Sequence, residues 1–348
     1  MMDFPSLFYR YADNPYQEHS HCRSAHSRRR RLTRDPQQAR RSCVLVLNDK
    51  LCDSYSESPP TAVSASSDPD AFLFRPAGLR VVNAPNETTV TVRRDVPFHA
   101  VDGESLALDV YESTATTGPK PAAVLVRGGG FTVGDKGEFA RQAIGLASAG
   151  YLVVEPQYRL APDHTFPAAL VDVKAAIEWC RNDERVDSQR VAAVGHSAGA
   201  NLVLLAAATA DEPGFEPEQY PGASSALSAV VGYAGIYDFR LADGDDSAYL
   251  GDSEAAYDLA SPVEQVDTSM PPTLLLHGES DTVVSPQQSA VMAERLDPLT
   301  TVAYEQVSGG HGFPFDGAHY DVTYERTAEF LTRHLDTVDT AEFPDGPR

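Results

Sequence analysis

Ser197 carries the strongest chemical signal in the sequence. It sits at the centre of Gly195-His196-Ser197-Ala198-Gly199, between the apolar run "RVAAV" and the alanine-rich run "ANLVLLAAATA". Small residues around a serine let a strand turn abruptly into a helix, leaving the hydroxyl exposed at the tip of the turn. A serine hydroxyl attacks a carbonyl only when a base takes its proton and an acid orients that base. On a strand–turn–helix scaffold these partners follow in the order Asp or Glu, then His, each just beyond a strand. "TLLLHGESDTVVSP" puts Asp281 in such a loop, and "VAYEQVSGGHGF" puts His311 in the next. Glu279 is the competing acid and His319 the competing base. His196, inside the turn, and His277, at a strand end, read as structural.

A second glycine-rich stretch, "VLVRGGGFTVGDK" at 124–136, follows another apolar run. Such a turn brings backbone N–H groups close to an anion. A phosphate-binding Walker loop needs G-x-x-x-x-G-K-[ST]. Gly129 and Gly134 have the right separation, but Asp135 stands where the lysine belongs and would repel a triphosphate. The other anion is the oxygen of a tetrahedral intermediate, for which each aimed donor is worth about 2.7–4 kcal/mol. One donor is the N–H after the nucleophile, on Ala198. The others come from an earlier glycine loop, where residues 128–130 lie.

These loops need a scaffold that returns strand ends to one edge. "TTVTVRRDV" and "SLALDVYE" alternate like an antiparallel pair, "AAVLV" and "YLVVEPQY" read as buried parallel strands, and "RVAAVGHS", "LSAVVGYAG", "PTLLLHG" and "TVAYEQV" as further strands. Helical spacing recurs in "GEFARQAIGLASAG", "FPAALVDVKAAIEWCRND", "SPQQSAVMAERL" and "YDVTYERTAEFLTRHL". The fold class is α/β: a doubly wound, mostly parallel sheet flanked by helices, over residues 86–338. Residues 1–85 read as a disordered or mis-annotated N-terminal extension, and 339–348 as an acidic C-terminal tail. The 239–262 insertion forms at most a small lid.

The formal charge of −22 falls almost wholly after residue 70, and only Lys50, Lys120, Lys136 and Lys174 are lysine. Surface carboxylates in such excess repel one another in dilute buffer. At molar salt the Debye length is about 3 Å and the repulsion vanishes, so the composition points to a salty cytoplasm. Without a basic face outside the N-terminal segment, nucleic acid is not expected as a partner. No run approaches a membrane span, and the "VLVL" after the second arginine cluster is too short for an export signal. Cys22, Cys43, Cys52 and Cys180 make no disulfide framework, and His19, His21, Cys22 and His26 fit no zinc spacing.

Together "RGGGF", "YRLAPDHTFPAALVD", "GHSAG", "PPTLLLHGESD" and "GGHGF" resemble the hormone-sensitive-lipase and BD-FAE-like branch of the α/β-hydrolase fold, over about residues 88–335. The resemblance implies a serine hydrolase of carboxylic esters with Ser197, Asp281 and His311 as triad. It implies N–H donors on Gly129 and Gly130, joined by Ala198, and neither metal nor organic cofactor. A small-molecule ester is the expected partner, short-chain because no helical cap is evident; arylformamides and sugar acetates are the alternatives on the same site. A non-catalytic ligand receptor is the reading from a different class, and oligomeric state is not encoded in any motif. One departure stands out: Arg127 occupies the position of the family's histidine before the glycines. Its guanidinium is expected to brace the loop through a carboxylate or through loop carbonyls.

Overall fold

The computed structural model describes residues 42–46, 89–242, 244 and 246–335. Among the described residues nine strands form one sheet, in the order β1-β2-β3-β5-β4-β6-β7-β8-β9. β1 (Ser42–Val46), β2 (Thr89–Val101) and β3 (Glu104–Ser113) are antiparallel neighbours, and β3 is antiparallel to β5 (Leu152–Pro156). From β5 onward all pairing is parallel, through β4 (Lys120–Val126), β6 (Val186–His196), β7 (Ala229–Tyr233), β8 (Thr273–Gly278) and β9 (Val302–Val307). β1 falls inside the 1–85 segment. The rest of that segment, its histidine-rich run and the 339–348 tail lie outside the described residues.

The continuous apolar runs are explained by burial on both faces. Along β4, Ala122, Val124 and Val126 join one core layer while Ala123 and Leu125 join the other. The first layer is closed by α2 (Ala168–Asn182), α3 (Ala198–Ala208) and α7 (Gln287–Leu296), through residues such as Ile177, Leu204 and Met292. The second is closed by α1 (Ala140–Ser148) and α8 (Tyr320–Leu335), through Leu146 and Leu331. Helices on both faces of a parallel sheet leave one open region, the carboxyl edge of the strands, where loops converge. The 239–262 insertion holds a 3₁₀ turn (Phe239–Leu241), α4 (Ser247–Leu250) and α5 (Glu254–Leu259), none longer than six residues; α6 (Pro262–Gln265) follows.

Candidate active site

β6 ends at His196 and α3 begins at Ala198, so Ser197 alone makes the turn. Its backbone lies at φ 54°, ψ −120°, a region that costs a non-glycine residue about 1–3 kcal/mol. The surroundings hold it there. Its N–H donates to the Tyr233 carbonyl at 2.8 Å, and its own carbonyl accepts from Ala200 and Asn201 at 3.0 and 3.2 Å. Contact, rather than torsion, accounts for the two glycines of the motif. A Cβ on Gly195 would come within 2.2 Å of the Gly199 oxygen, and one on Gly199 within 2.1 Å of the Val126 oxygen.

Loops after β8 and β9 deliver the partners. His311 Nε2 lies 3.0 Å from Ser197 Oγ, and His311 Nδ1 lies 2.8 Å from Asp281 Oδ2. A carboxylate only accepts, so Nδ1 carries the proton and Nε2 turns its lone pair to the serine hydroxyl. The other Asp281 oxygen, Oδ1, accepts the N–H groups of Val283 and Val284 at 2.8 and 2.9 Å. Burial works against the Asp281 charge, but hydrogen bonds from His277, His311, Val284 and Val283 outweigh it and hold the carboxyl well below the usual carboxylate range. This arrangement can pull a proton from Ser197 while the developing imidazolium faces a fixed negative charge.

The competing residues are placed elsewhere. Glu279 is exposed, with its N–H bonded to the Val307 carbonyl. His319 faces Ser308 and Asp316 at the start of α8. His277 is fully buried; its Nδ1 meets Ser289 Oγ at 2.7 Å, and its Nε2 lies 3.0 Å from the Val284 carbonyl and 3.3 Å from Asp281 Oδ2. It supports the carboxylate rather than reaching the serine.

The glycine loop packs on the turn: a Cβ on Gly128 would lie 3.2 Å from Ser197 Cβ. Arg127 is 3% exposed, and its Nη1 donates to the carbonyls of Gly128 (2.8 Å) and Val133 (2.7 Å) and to the Tyr158 hydroxyl (3.1 Å). Of the two expected modes of bracing, the carbonyl mode is the one present. Tyr158 Oη also donates to the Gly128 carbonyl at 3.0 Å, and burial pushes its phenol up to about 12, keeping that proton in place. In a planar trans peptide the N–H points opposite to the C=O. Gripping the Gly128 oxygen from behind therefore aims the Gly129 N–H away from Arg127. The Gly129 carbonyl, taken by the N–H groups of Thr132 and Val133 at 3.1 Å each, orients the Gly130 N–H in the same way. No acceptor for the N–H groups of Gly129, Gly130 or Ala198 occurs among the described residues. Arg127→Ala is expected to lower kcat by about 10- to 100-fold, the scale of a 1 Å misplacement, with Arg127→His retaining more; wild-type turnover in the alanine variant would remove the bracing role.

In the sequence Tyr158 figures only within "YRLAPDHTFPAALVD", and nothing singles out Glu138, whose Oε2 accepts the Gly128 N–H at 2.7 Å. A cavity of about 390 Å³ lies on the Arg127 and Tyr158 side of the loop, and Ser197, Asp281 and His311 do not line it. Tyr249 of α4 stacks on Phe131 at 3.8 Å, so the small insertion leans on the residue after Gly130. Cys180 is a buried free thiol, and no cluster of metal-ligating side chains occurs among the described residues.

The BD-FAE family model matches residues 108–296, more than half of the chain. The chain belongs to the BD-FAE family. The matched span contains Ser197 and Asp281 and ends before His311. "Esterase LipC" of Mycobacterium tuberculosis is 32% identical over 254 residues, 67% of this chain and 63% of that protein. "Esterase LipQ" of the same organism is 30% identical over 251 residues, 66% and 59% respectively. This BD-FAE chain thus spans about three-fifths of the length of those relatives. Among solved structures, the apo form of Thermogutta terrifontis esterase 2 superposes with a TM-score of 0.60 at 25% identity, covering 68% of this chain and 92% of the other. A truncated carbohydrate esterase from gut microbiota gives 0.58 at 22%, covering 69% and 96%. The fold is the α/β-hydrolase fold.

Proposed function

We propose that this protein hydrolyses carboxylic esters through a covalent acyl-enzyme, with residues 86–338 as its catalytic domain. The observation that carries the proposal is the unbroken hydrogen-bonded line from Ser197 Oγ through His311 to Asp281. Ser197 Oγ attacks the ester carbonyl carbon as its proton passes to His311 Nε2. The electron pair displaced onto the carbonyl oxygen is held by the N–H groups of Gly129, Gly130 and Ala198. Collapse of that intermediate expels the alkoxide, which leaves as the alcohol by taking from His311 Nε2 the proton that came from Ser197. Water then attacks the acyl carbon with His311 again as base, releasing the carboxylic acid and the free Ser197 hydroxyl.

The esterase relatives support the ester class, and the short elements of the 239–262 insertion support small acyl groups over long chains. The charge of −22 and the scarcity of lysine support work in a salt-rich cytoplasm. Among the described residues no helix is long and apolar enough to cross a membrane.

In molar KCl, a fluorophosphonate is expected to phosphonylate Ser197 stoichiometrically, with the adduct mapped by mass spectrometry and p-nitrophenyl acetate turnover lost in parallel. An adduct on another residue, or none, would overturn the proposal. Running N-formylkynurenine and acetylated xylan beside the nitrophenyl ester decides between the ester reading and its formamide and sugar-acetate alternatives.

A further inference from the structure

Two loops must keep a fixed spacing for the proposed reaction: one carries Gly128 to Gly130, the other His311. They come from opposite sides of β6, and neither donates a backbone hydrogen bond to the other among the described residues. A side-chain pair spans the gap. Glu138, in the connection between β4 and α1, accepts the Gly128 N–H at 2.7 Å through Oε2. Its Oε1 lies 3.2 Å from His196 Nδ1. His196 Nε2 in turn lies 3.0 Å from the His311 backbone carbonyl.

Both partners of the His196 ring are acceptors. A carbonyl oxygen accepts and cannot donate, and the same holds for a carboxylate. Each ring nitrogen of His196 thus faces an acceptor, the Glu138 carboxylate on one side and the His311 carbonyl on the other, and donating to both takes a hydrogen on each. Burial opposes the Glu138 charge, but the hydrogen bond with His196, the Gly128 N–H and the Arg127 charge outweigh it and lower the Glu138 pKa. Packing leaves the ring no alternative place. It is 5% exposed, lies 4.8 Å from the His311 ring and meets Phe315 edge-on at 5.1 Å. A Cβ on Gly128 would sit 3.0 Å from His196 Nδ1, so the loop fits tightly over the imidazole.

We propose that Glu138 and His196 are positioning residues, an ion pair that clamps the glycine loop to the His311 loop so that oxyanion donors and base move as one body. The mechanistic consequence rests on the function proposed above. The clamp acts through hydrogen bonds on the backbone of both loops, at the Gly128 N–H and the His311 carbonyl.

Glu138→Ala and Glu138→Gln separate this role from mere structural support. Glutamine can accept the Gly128 N–H through its oxygen and donate its amide N–H to Nδ1 of a neutral His196, whose Nε2–H still reaches the His311 carbonyl. On p-nitrophenyl acetate, Glu138→Ala is expected to lower kcat about 10- to 100-fold with KM within about threefold, and Glu138→Gln to stay within about threefold on both. Equal kcat in wild type and Glu138→Ala overturns the clamp, as does a glutamine variant as impaired as the alanine. Nitrogen NMR judges the same claim without turnover. It should show a doubly protonated His196 at pH 7 in the wild type, a neutral one in both variants, and His311 ring signals displaced only in Glu138→Ala. A neutral His196 in the wild type overturns the clamp; wild-type protein that turns over no ester sinks the function instead.

Discussion

Asp281→Asn is expected to lower kcat on p-nitrophenyl acetate by about 10⁴-fold, the scale seen when an orienting carboxylate is replaced by its amide. The reason lies in how the carboxylate is held. Oδ1 accepts two backbone N–H groups, from Val283 and Val284. An asparagine satisfies both only by placing its carbonyl oxygen there, which puts the amide NH₂ where Oδ2 faced His311 Nδ1. Flipping the amide would set a donor against two donors. His311 must then present Nδ1 as acceptor and carry its proton on Nε2, pointing a hydrogen at Ser197 Oγ instead of a lone pair. The base is present but in the wrong tautomer, so KM changes little while kcat collapses.

The same substitution weakens the fold. The new NH₂ also opposes His277 Nε2, which lies 3.3 Å from Oδ2 and already shares its proton with the Val284 carbonyl. Because the folded Asp281 carboxyl is held below its unfolded range, its stabilisation is complete above the ordinary carboxylate pKa and fades only as pH falls toward the folded value. Asparagine lacks that contribution at neutral pH. A lower melting temperature at pH 7, with the gap closing in acid, is the second measurement. A variant within tenfold of wild-type kcat would mean that Asp281 does not set the tautomer of His311.

The elements and the hydrogen-bonded line of Ser197, His311 and Asp281 were legible because each leaves a local trace. A strand buried on both faces must be continuously apolar, which located β4, β5, β6, β7 and β8. A strand that turns at once into a helix must have glycines where the two touch, as Gly195 and Gly199 do. Asp281 and His311 could be found because each lies in a loop just past a strand, β8 for the first and the partly buried β9 for the second. Glu138 left no trace of this kind. It is a carboxylate in a polar connection, and its value arises only when that connection folds back over His196, a contact between residues 58 positions apart. His196 looked structural for the same reason: its partners are a backbone carbonyl and a carboxylate on separate loops. Arg127 was legible as a departure and as a brace. That it grips carbonyls rather than a carboxylate depends on the curl of 128–133, which three glycines permit but do not dictate. The position of β5 between β3 and β4 is likewise set by the crossovers, not by the composition of any strand.

Gly129→Ala is expected to lower kcat by at least about 10³-fold, because it displaces two proposed oxyanion donors, and losing one costs about 10²–10³. Gly129 has φ +114°, outside the left-handed region that other residues tolerate, and an added Cβ would lie 2.0 Å from the Val133 oxygen. That oxygen is also one of the two carbonyls held by Arg127. Relieving the clash means opening the turn from Gly129 to Val133, which swings the N–H groups of Gly129 and Gly130 out of line together. Gly130→Ala provides the contrast. Gly130 has φ +57°, and its nearest neighbour to a new Cβ is Thr132 Oγ1 at 3.9 Å, so alanine there meets only the left-handed backbone cost of about 1–2 kcal/mol. Its kcat should stay within about tenfold of wild type. In both variants Ser197 still reacts with the fluorophosphonate, only more slowly, because hydroxyl, base and acid are untouched. Equal losses at the two glycines would mean that general strain, not aimed N–H groups, governs the rate, and the anion-binding role of the loop would fall.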